Sequence, residues 1–219
     1  MNSMKVNVDP QKIVVARRLA ILAVIVWFAT AVIASITGII NEPDRPPLVL
    51  GTFILLPIAG FVAAYFLSAS FRAFTESMSL TLIVASHLWR FVGVGFMIAW
   101  LTGALPAGFG IPEGFGDIIA AIGALVLVPK LRKGTAPRTW LFAWNTFGLI
   151  DLISAIVVGI LYSDSTLGIL SKDTVNTKLM VTFPVSLIPS FFVPLFILLH
   201  ILTFKKIADF SESKEVRIL

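Results

Sequence analysis

The chain alternates between long apolar runs and short polar links. Six of the apolar runs have about the 20-residue length that a helix needs to cross a hydrocarbon core about 30 Å thick. The pattern predicts spans at 19–40, 48–70, 78–103, 115–131, 139–162 and 180–203. The fourth has the shortest apolar core, and it admits either a tilted crossing or a re-entrant element. The expected fold is therefore all-α, a polytopic bundle of about six transmembrane helices.

The composition supports a membrane protein. Of the 219 residues, 58% are hydrophobic and only 13% are charged, whereas soluble domains carry about 25% charged residues. We expect one transmembrane domain at 19–203, an N-terminal segment at 1–18 and a basic tail at 204–219. The first apolar run is longer than the roughly 7–15 residues of a signal-peptide core, so we expect it to be retained.

Lysine and arginine are distributed unevenly over the predicted loops. Thirteen of the 17 lie on the side of the N-terminus, three lie on the other side, and Arg90 lies within a span. This bias predicts that both termini are cytoplasmic. It also accounts for the net charge of +5 without a nucleic-acid partner, and it leaves the lipid bilayer as the expected partner.

Two opposite charges fall at similar depth inside predicted spans. Arg90 lies about 18 Å from the start of the third span, at 1.5 Å per residue, and Asp151 lies about as deep in the fifth. An unpaired charge at the centre of a membrane helix costs roughly 2.5–3.5 kcal/mol, and a pair inside the bundle offsets much of this cost. We therefore predict that Arg90 and Asp151 face each other.

Other polar positions share the helix faces of this pair. Asn145 lies on the same stripe of the fifth span as Asp151, and His87 lies one turn from Arg90. In the sixth span, Ser186 and Ser190 stand one turn apart among three prolines. Hydroxyls beside carbonyls freed by proline can bind a ligand, or they can simply satisfy the backbone.

The two histidines raise a separate hypothesis. His87 lies deep in its span, whereas His200 is expected near the cytoplasmic end of the sixth span, where it would reach the interface. Together they could ligate a b-type haem through both axial positions, although their estimated depths differ by roughly 8 Å at 1.5 Å per residue. Alternatively, His87 could handle protons, since imidazole titrates near neutral pH. Haem apart, we expect no cofactor and no metal site.

The link before the fourth span contains two acidic residues among glycines and prolines. Asp117 precedes the apolar run directly and is expected to be its N-cap. Glu113 and Asp117 could instead gate an outward-facing mouth or meet a cation.

Catalytic signatures are missing from the sequence. There is no HExxH, nucleophile elbow, Walker motif or EF-hand loop. Cysteine is absent, which excludes disulfides, thiolate metal sites and cysteine nucleophiles. An enzyme is therefore less favoured than a transporter or an accessory protein, and no catalytic residue is predicted.

Several short motifs together resemble a known group of proteins. They are RFVG at 90–93, GALP at 103–106, GFGD at 114–117, WNTFGLID at 144–151, IPSFFVP at 188–194 and LH at 199–200. With these motifs, residues 85–203 resemble bacterial multi-pass membrane proteins described as hypothetical. The resemblance implies a bacterial cytoplasmic (inner) membrane location and carries no activity.

Three functions remain open from the sequence. The first is a small-molecule or ion transporter, or its membrane-embedded substrate-binding subunit, with a small polar or ionic ligand bound near Arg90 and Asp151. The second is an accessory protein in which that pair only locks helices. The third is a haem redox protein or enzyme that uses His87. A partner membrane subunit or a homo-oligomer is compatible with each of them.

Overall fold

A computed structural model describes residues 8–171 and 175–215, with side chains as far as residue 208. The start of the predicted segment 1–18 and the end of the predicted tail 204–219 therefore lie outside the described residues. Lys172, one of the basic residues counted above, also lies outside them.

Within the described ranges the regular structure is entirely helical. Its helices are α1 (Pro10–Ile36), α2 (Leu48–Leu67), α3 (Ala69–Ser77), α4 (Leu80–Ser86), α5 (Gly93–Leu101), α6 (Ala107–Arg132), α7 (Arg138–Leu161) and α8 (Val193–Glu215). Three short segments complete the set: 3-10 helices at His87–Val92 and Lys178–Val181, and a π-helical turn at Ile188–Phe192.

In the part of the chain that the structure describes, six helical segments are long and apolar enough to cross a membrane. They are α1, α2, Leu80–Leu101, α6, α7 and Ile188–Ala208. The third combines α4, the 3-10 helix and α5, and the sixth combines the π-helical turn with most of α8. The six predicted spans are thus confirmed as helices of membrane length and composition.

The fourth span differs most from its predicted bounds. It begins at Ala107 rather than 115 and runs for 26 residues, about 39 Å at 1.5 Å per residue, which is long enough for a full crossing. Its glycines fit the helix because neighbours approach closely. A Cβ on Gly110 would lie 2.7 Å from the Trp100 Cβ, and one on Gly116 would lie 1.5 Å from the Asp151 Oδ1. Glycine, which favours loops in isolation, serves here for close packing.

The first and sixth spans are also shifted. Helix α1 begins at Pro10 because Asp9 caps it, with Asp9 Oδ1 accepting from the Gln11 N–H at 2.8 Å. The sixth span begins at Ile188 rather than 180. Pro184 and Pro189 each lack a backbone donor, so residues 178–187 form a 3-10 helix and turns instead.

Helix α6 lies at the centre of the helices that carry the buried charged residues. It packs against α4, the 3-10 helix His87–Val92, α5 and α7, while α7 and α2 both pack on α8. One apolar cluster lies at each end of α6, around Ala124 and Trp144 and around Phe96 and Phe109. Arg90 of the third span, Glu113 and Asp117 of the fourth and Asp151 of the fifth occur between these clusters along each helix.

Candidate functional site

The 3-10 helix His87–Val92 presents the arginine to its partners. A 3-10 helix has three residues per turn, so side chains at i and i+3 line up. His87, Arg90 and Gly93 therefore point to one side, and all three are buried. The prediction that His87 shares a helix face with Arg90 is confirmed.

Arg90 donates from all three guanidinium nitrogens, to two buried acceptors and one partly buried acceptor. Its Nη2 bonds Asp151 Oδ2, so the predicted pair is present. Its Nε bonds Asp117 Oδ1 at 2.6 Å, and its Nη1 bonds the carbonyl oxygen of Gly148 at 3.1 Å. Arg90 is only 1% exposed, so these contacts compensate a charge that is fully removed from solvent.

The predicted capping role of Asp117 is wrong. Helix α6 begins ten residues earlier, with Pro106 as its N-cap, which places Asp117 in the helix interior. There the carboxylate is the second anionic partner of Arg90. The sequence placed Asp117 in a loop because the glycines and prolines before it resemble a link.

Glycines on three helices make room for this cluster. A Cβ on Gly93 would lie 2.6 Å from the Asp117 Cβ, and one on Gly148 would lie 2.6 Å from the His200 ring and 3.0 Å from Arg90 Nη1. Together with Gly116, which faces Asp151 Oδ1, they let polar side chains occupy space that any larger residue would fill. Small residues permit such close helix approach in membranes.

Glu113 lies one turn before Asp117 on α6 and is bonded differently. It is 2% exposed, and its Oε1 accepts a hydrogen bond from Ser154 Oγ of α7 at 3.0 Å. Among the described residues, Oε2 has no hydrogen-bond partner. Glu113 is therefore a buried carboxylate with one hydrogen-bonded oxygen and, within the described ranges, one oxygen without a hydrogen-bond partner.

Asn145 holds His200 on the other side of Arg90. The Asn145 Nδ2 donates to the backbone carbonyl of His200 at 3.0 Å, so its Oδ1 is the acceptor opposite His200 Nδ1 at 2.7 Å. His200 Nδ1 must then carry a proton. His200 is 0% exposed, so its predicted position at the membrane interface is wrong.

His87 packs directly on His200. The two ring centroids lie 4.2 Å apart with an interplanar angle of 40°, so the difference in depth estimated from the sequence is wrong. Axial imidazoles bind haem iron from opposite faces of a flat macrocycle, and no macrocycle fits between rings already in contact. The geometry therefore argues against the haem hypothesis. In the part of the chain that the structure describes, neither His87 nitrogen has a hydrogen-bond partner.

Ser186 and Ser190 lie at the proline-rich start of the sixth span. Both are 0% exposed, and Ser190 Oγ donates to the Ser186 carbonyl at 2.7 Å. The Ser190 backbone N–H donates to the same carbonyl at 3.2 Å, so the hydroxyl adds a second bond to an acceptor that is already satisfied. The indole Nε1–H of Trp27 donates to the Ser190 carbonyl at 3.2 Å and ties α1 to the π-helical turn.

A cavity of about 80 Å³ leads from the loops to the acidic side of the cluster. The loop residues Glu42, Ser163, Asp164 and Thr177 lie at one end, and Glu113 and Asp117 lie on α6 at the other. Ala155 and Gly159 of α7 line its wall. A water needs roughly 10–15 Å³ of such volume, so the cavity can hold a small solute.

The structure thus brings most of the predicted polar positions together. Arg90, Asp117 and Asp151 form one cluster, with Glu113 beside it on the cavity and the Asn145–His200 pair behind it. The contribution of Ser154 was not predicted. A polar residue one helical turn from Asp151 on the same span is a signal that could have identified it.

Comparison with known proteins yields one match. A family described as a domain of unknown function, DUF8737, matches residues 46–208, from the start of α2 to the interior of α8. No curated protein and no solved structure matches the chain.

Proposed function

The chain belongs to the DUF8737 family, a domain of unknown function, and we propose that it is a membrane transporter, or the substrate-binding subunit of one, for a small polar or ionic solute. The observation that carries this proposal is the cavity whose inner end is formed by two buried carboxylates, Glu113 and Asp117. Ionisable residues inside membrane spans are costly and generally mark solute or ion pathways.

Two irregular helical segments flank this site and support a moving part. The 3-10 helix His87–Val92 interrupts the third span at Arg90, and such a segment within a longer helix often marks a hinge. The π-helical turn Ile188–Phe192 contributes Ile188 and Pro189 to the cavity wall. Transporters often bind solutes at interrupted helices near the midplane.

We propose that the protein lies in the bacterial cytoplasmic membrane with both termini inside. The uneven distribution of lysine and arginine supports this orientation, in which the cavity mouth faces outward. The chain has no cysteine, so single cysteines report sidedness without background. Thr135→Cys, in the loop before α7, should resist an impermeant maleimide in intact cells, whereas Thr166→Cys, in the loop after α7, should react. The reverse labelling pattern would show that the topology is inverted, with both termini outside.

The test of solute binding is thermal stabilisation of purified protein across a panel of amino acids, nucleobases, vitamins and cations. A solute that binds the native state raises the apparent unfolding temperature. Ala155→Phe, which fills the cavity, should abolish the shift. Ala63→Phe is the matched control, since Ala63 lies exposed on α2 outside the cavity. Uptake into vesicles then separates transport from binding.

A second candidate is an accessory membrane protein in which the charges only lock helices. Arg90 favours this reading, because its three nitrogens are already bonded to Asp117, Asp151 and the Gly148 carbonyl. A partner membrane subunit or a second copy would then supply the activity. If no solute stabilises the protein, and cells that carry Ala155→Phe behave like cells with the wild-type protein, this candidate is favoured over transport.

A further inference from the structure

The charge of the cavity indicates the class of solute, an inference that rests on the transport function proposed above. Among the described residues that line it, four are acidic and none is lysine, arginine or histidine. The acidic residues are Glu42 and Asp164 near the loops and Glu113 and Asp117 at the inner end. A low-dielectric cavity lined by one sign of charge attracts the opposite sign.

Glu113 offers this solute a hydrogen-bond acceptor that has no partner in the described structure. Ser154 Oγ bonds Oε1 at 3.0 Å, and Oε2 is buried with no partner in the described structure. A buried carboxylate oxygen without a donor costs free energy, and a bound cation would remove that cost. A buried carboxylate with one oxygen unpaired among the described residues thus lies in the wall of a cavity that admits a small solute.

The arginine does not offer a matching site for an anion. Arg90 is not among the residues that line the cavity, and each of its nitrogens already donates to an acceptor. An anion would have to enter past Glu113 and Asp117, which repel it. The cluster therefore selects against anionic solutes.

The cavity walls distinguish an organic cation from a metal ion. Calcium takes six to eight oxygen ligands and magnesium six, and in the chain as described no group of three acidic or histidine side chains is arranged to hold a metal. The wall between the loops and Glu113 is instead largely apolar, with Phe109, Leu152 and Ile156 among its residues. Phe96 and Phe109 also line it with ring centroids 5.8 Å apart, and aromatic faces attract organic cations.

We propose that the cavity binds a small organic ammonium ion, with its N–H groups donating to Glu113 Oε2 and to Asp117 and its hydrocarbon body lying against the apolar wall. Glu113 is the specificity-determining residue. Asp117 is shared between the ammonium ion and Arg90, so occupancy of the cavity is linked to the contact that joins the third and fourth spans.

The test uses three matched pairs of probes and purified wild-type protein. Ethylammonium, butylammonium and benzylammonium are compared with ethanol, butanol and benzyl alcohol, which have the same carbon skeletons without the charge. We expect at least one ammonium ion to raise the unfolding temperature and its alcohol to leave it unchanged. Stabilisation by the alcohols to the same degree, or by none of the ammonium ions, would overturn the inference.

Two variants assign the effect to Glu113. In Glu113→Gln the acceptor for Ser154 is kept and the charge is removed, so ammonium affinity should fall about tenfold or more, the usual value of a charge-assisted hydrogen bond. Glu76→Gln is the matched control, because Glu76 is exposed in α3 outside the cavity. Ser154→Ala should instead strengthen binding, since both carboxylate oxygens then face the ligand. Unchanged affinity in both cavity variants would exclude Glu113 as the determinant.

The outcomes also separate this inference from the transport proposal. Stabilisation by a neutral or anionic solute, lost in Ala155→Phe, would keep the transport proposal and overturn the ammonium site. Ammonium binding without uptake into vesicles would keep the site and overturn transport.

Discussion

Asp117 and Glu113 lie one turn apart on the same helix, yet they have different environments. Asp117 is joined to the Arg90 guanidinium at 2.6 Å. Glu113 is also buried, but only a serine hydroxyl bonds it, and its second oxygen has no hydrogen-bond partner within the described structure. A buried carboxylate with a cationic partner is explained by the fold alone, whereas one bonded only to a hydroxyl calls for a further partner. We therefore assign Asp117 a structural role through Arg90, beside its proposed contact with the ligand, and we assign Glu113 a role in ligand binding alone.

The largest expected effect comes from removing the charge at the centre. Arg90→Met keeps much of the side-chain volume and leaves Asp117 and Asp151 buried without a counter-ion. Breaking such a pair by removing one partner costs about 3–5 kcal/mol. Chemical denaturation of the purified protein should show this loss, with Arg72→Met, on the loop helix α3, as the control. A loss below about 1 kcal/mol would mean that the cluster is solvated.

Reversing the charges should not repair this loss. In Arg90→Asp combined with Asp151→Arg, the new arginine would lie against Gly116 of α6, and Asp117 would face an additional carboxylate. We expect the double variant to be no more stable than either single variant. Recovery of wild-type stability would show that Asp117 contributes nothing to the centre, which would remove the contrast between the two carboxylates.

Two isosteric substitutions measure the difference between Asp117 and Glu113 in their contribution to stability. Asp117→Asn weakens a charge-assisted hydrogen bond and should cost about 1.5–3 kcal/mol of unfolding free energy. Glu113→Gln keeps the acceptor for Ser154 and should cost less than about 1 kcal/mol. Both values come from the same denaturation assay without added solute. Equal losses would show that the two positions have the same role.

The close approach around the cluster predicts a smaller effect. Gly116→Ala places a Cβ only 1.5 Å from the present position of Asp151 Oδ1. Overpacking of this kind costs about 1–3 kcal/mol. Gly60→Ala is the matched control, because its added Cβ would meet nothing within 4 Å. The control should be neutral or slightly stabilising, since alanine is the better helix former. A neutral Gly116→Ala would show that α6 and α7 adjust freely.

The smallest effect is expected at His87. Its ring packs on Trp144, Phe196 and His200, so His87→Phe keeps the packing and removes no hydrogen bond seen in the described chain. We expect a change below about 1 kcal/mol. His200→Phe breaks the contact with Asn145 and should cost about 1–3 kcal/mol. If thermal unfolding shows His87→Phe to be the more damaging, then His87 has a polar partner.

Sequence patterns along single helices predicted the pairing of Arg90 with Asp151 but did not show the positions of Asp117 and His200. Arg90 and Asp151 could be paired because both depth and charge follow from counting along two spans. Asp117 could not, because the loop-like glycines before it masked a helix whose turns are stabilised by close neighbours. The position of His200 was missed for a related reason, since one Asn145 side chain holds it inward.

The sequence by itself determined six helices of membrane length and composition and a small set of polar positions within them, because the free energy of placing a side chain in lipid depends mainly on that residue and its nearest neighbours in the chain. Only the tertiary structure decided which of those positions meet. Helix rotation, the 3-10 helix at Arg90 and the glycine contacts of α6 set distances between residues far apart in sequence. Those distances give Asp117 a cationic partner and leave Glu113, on the wall of a cavity, bonded among the described residues only to a serine hydroxyl.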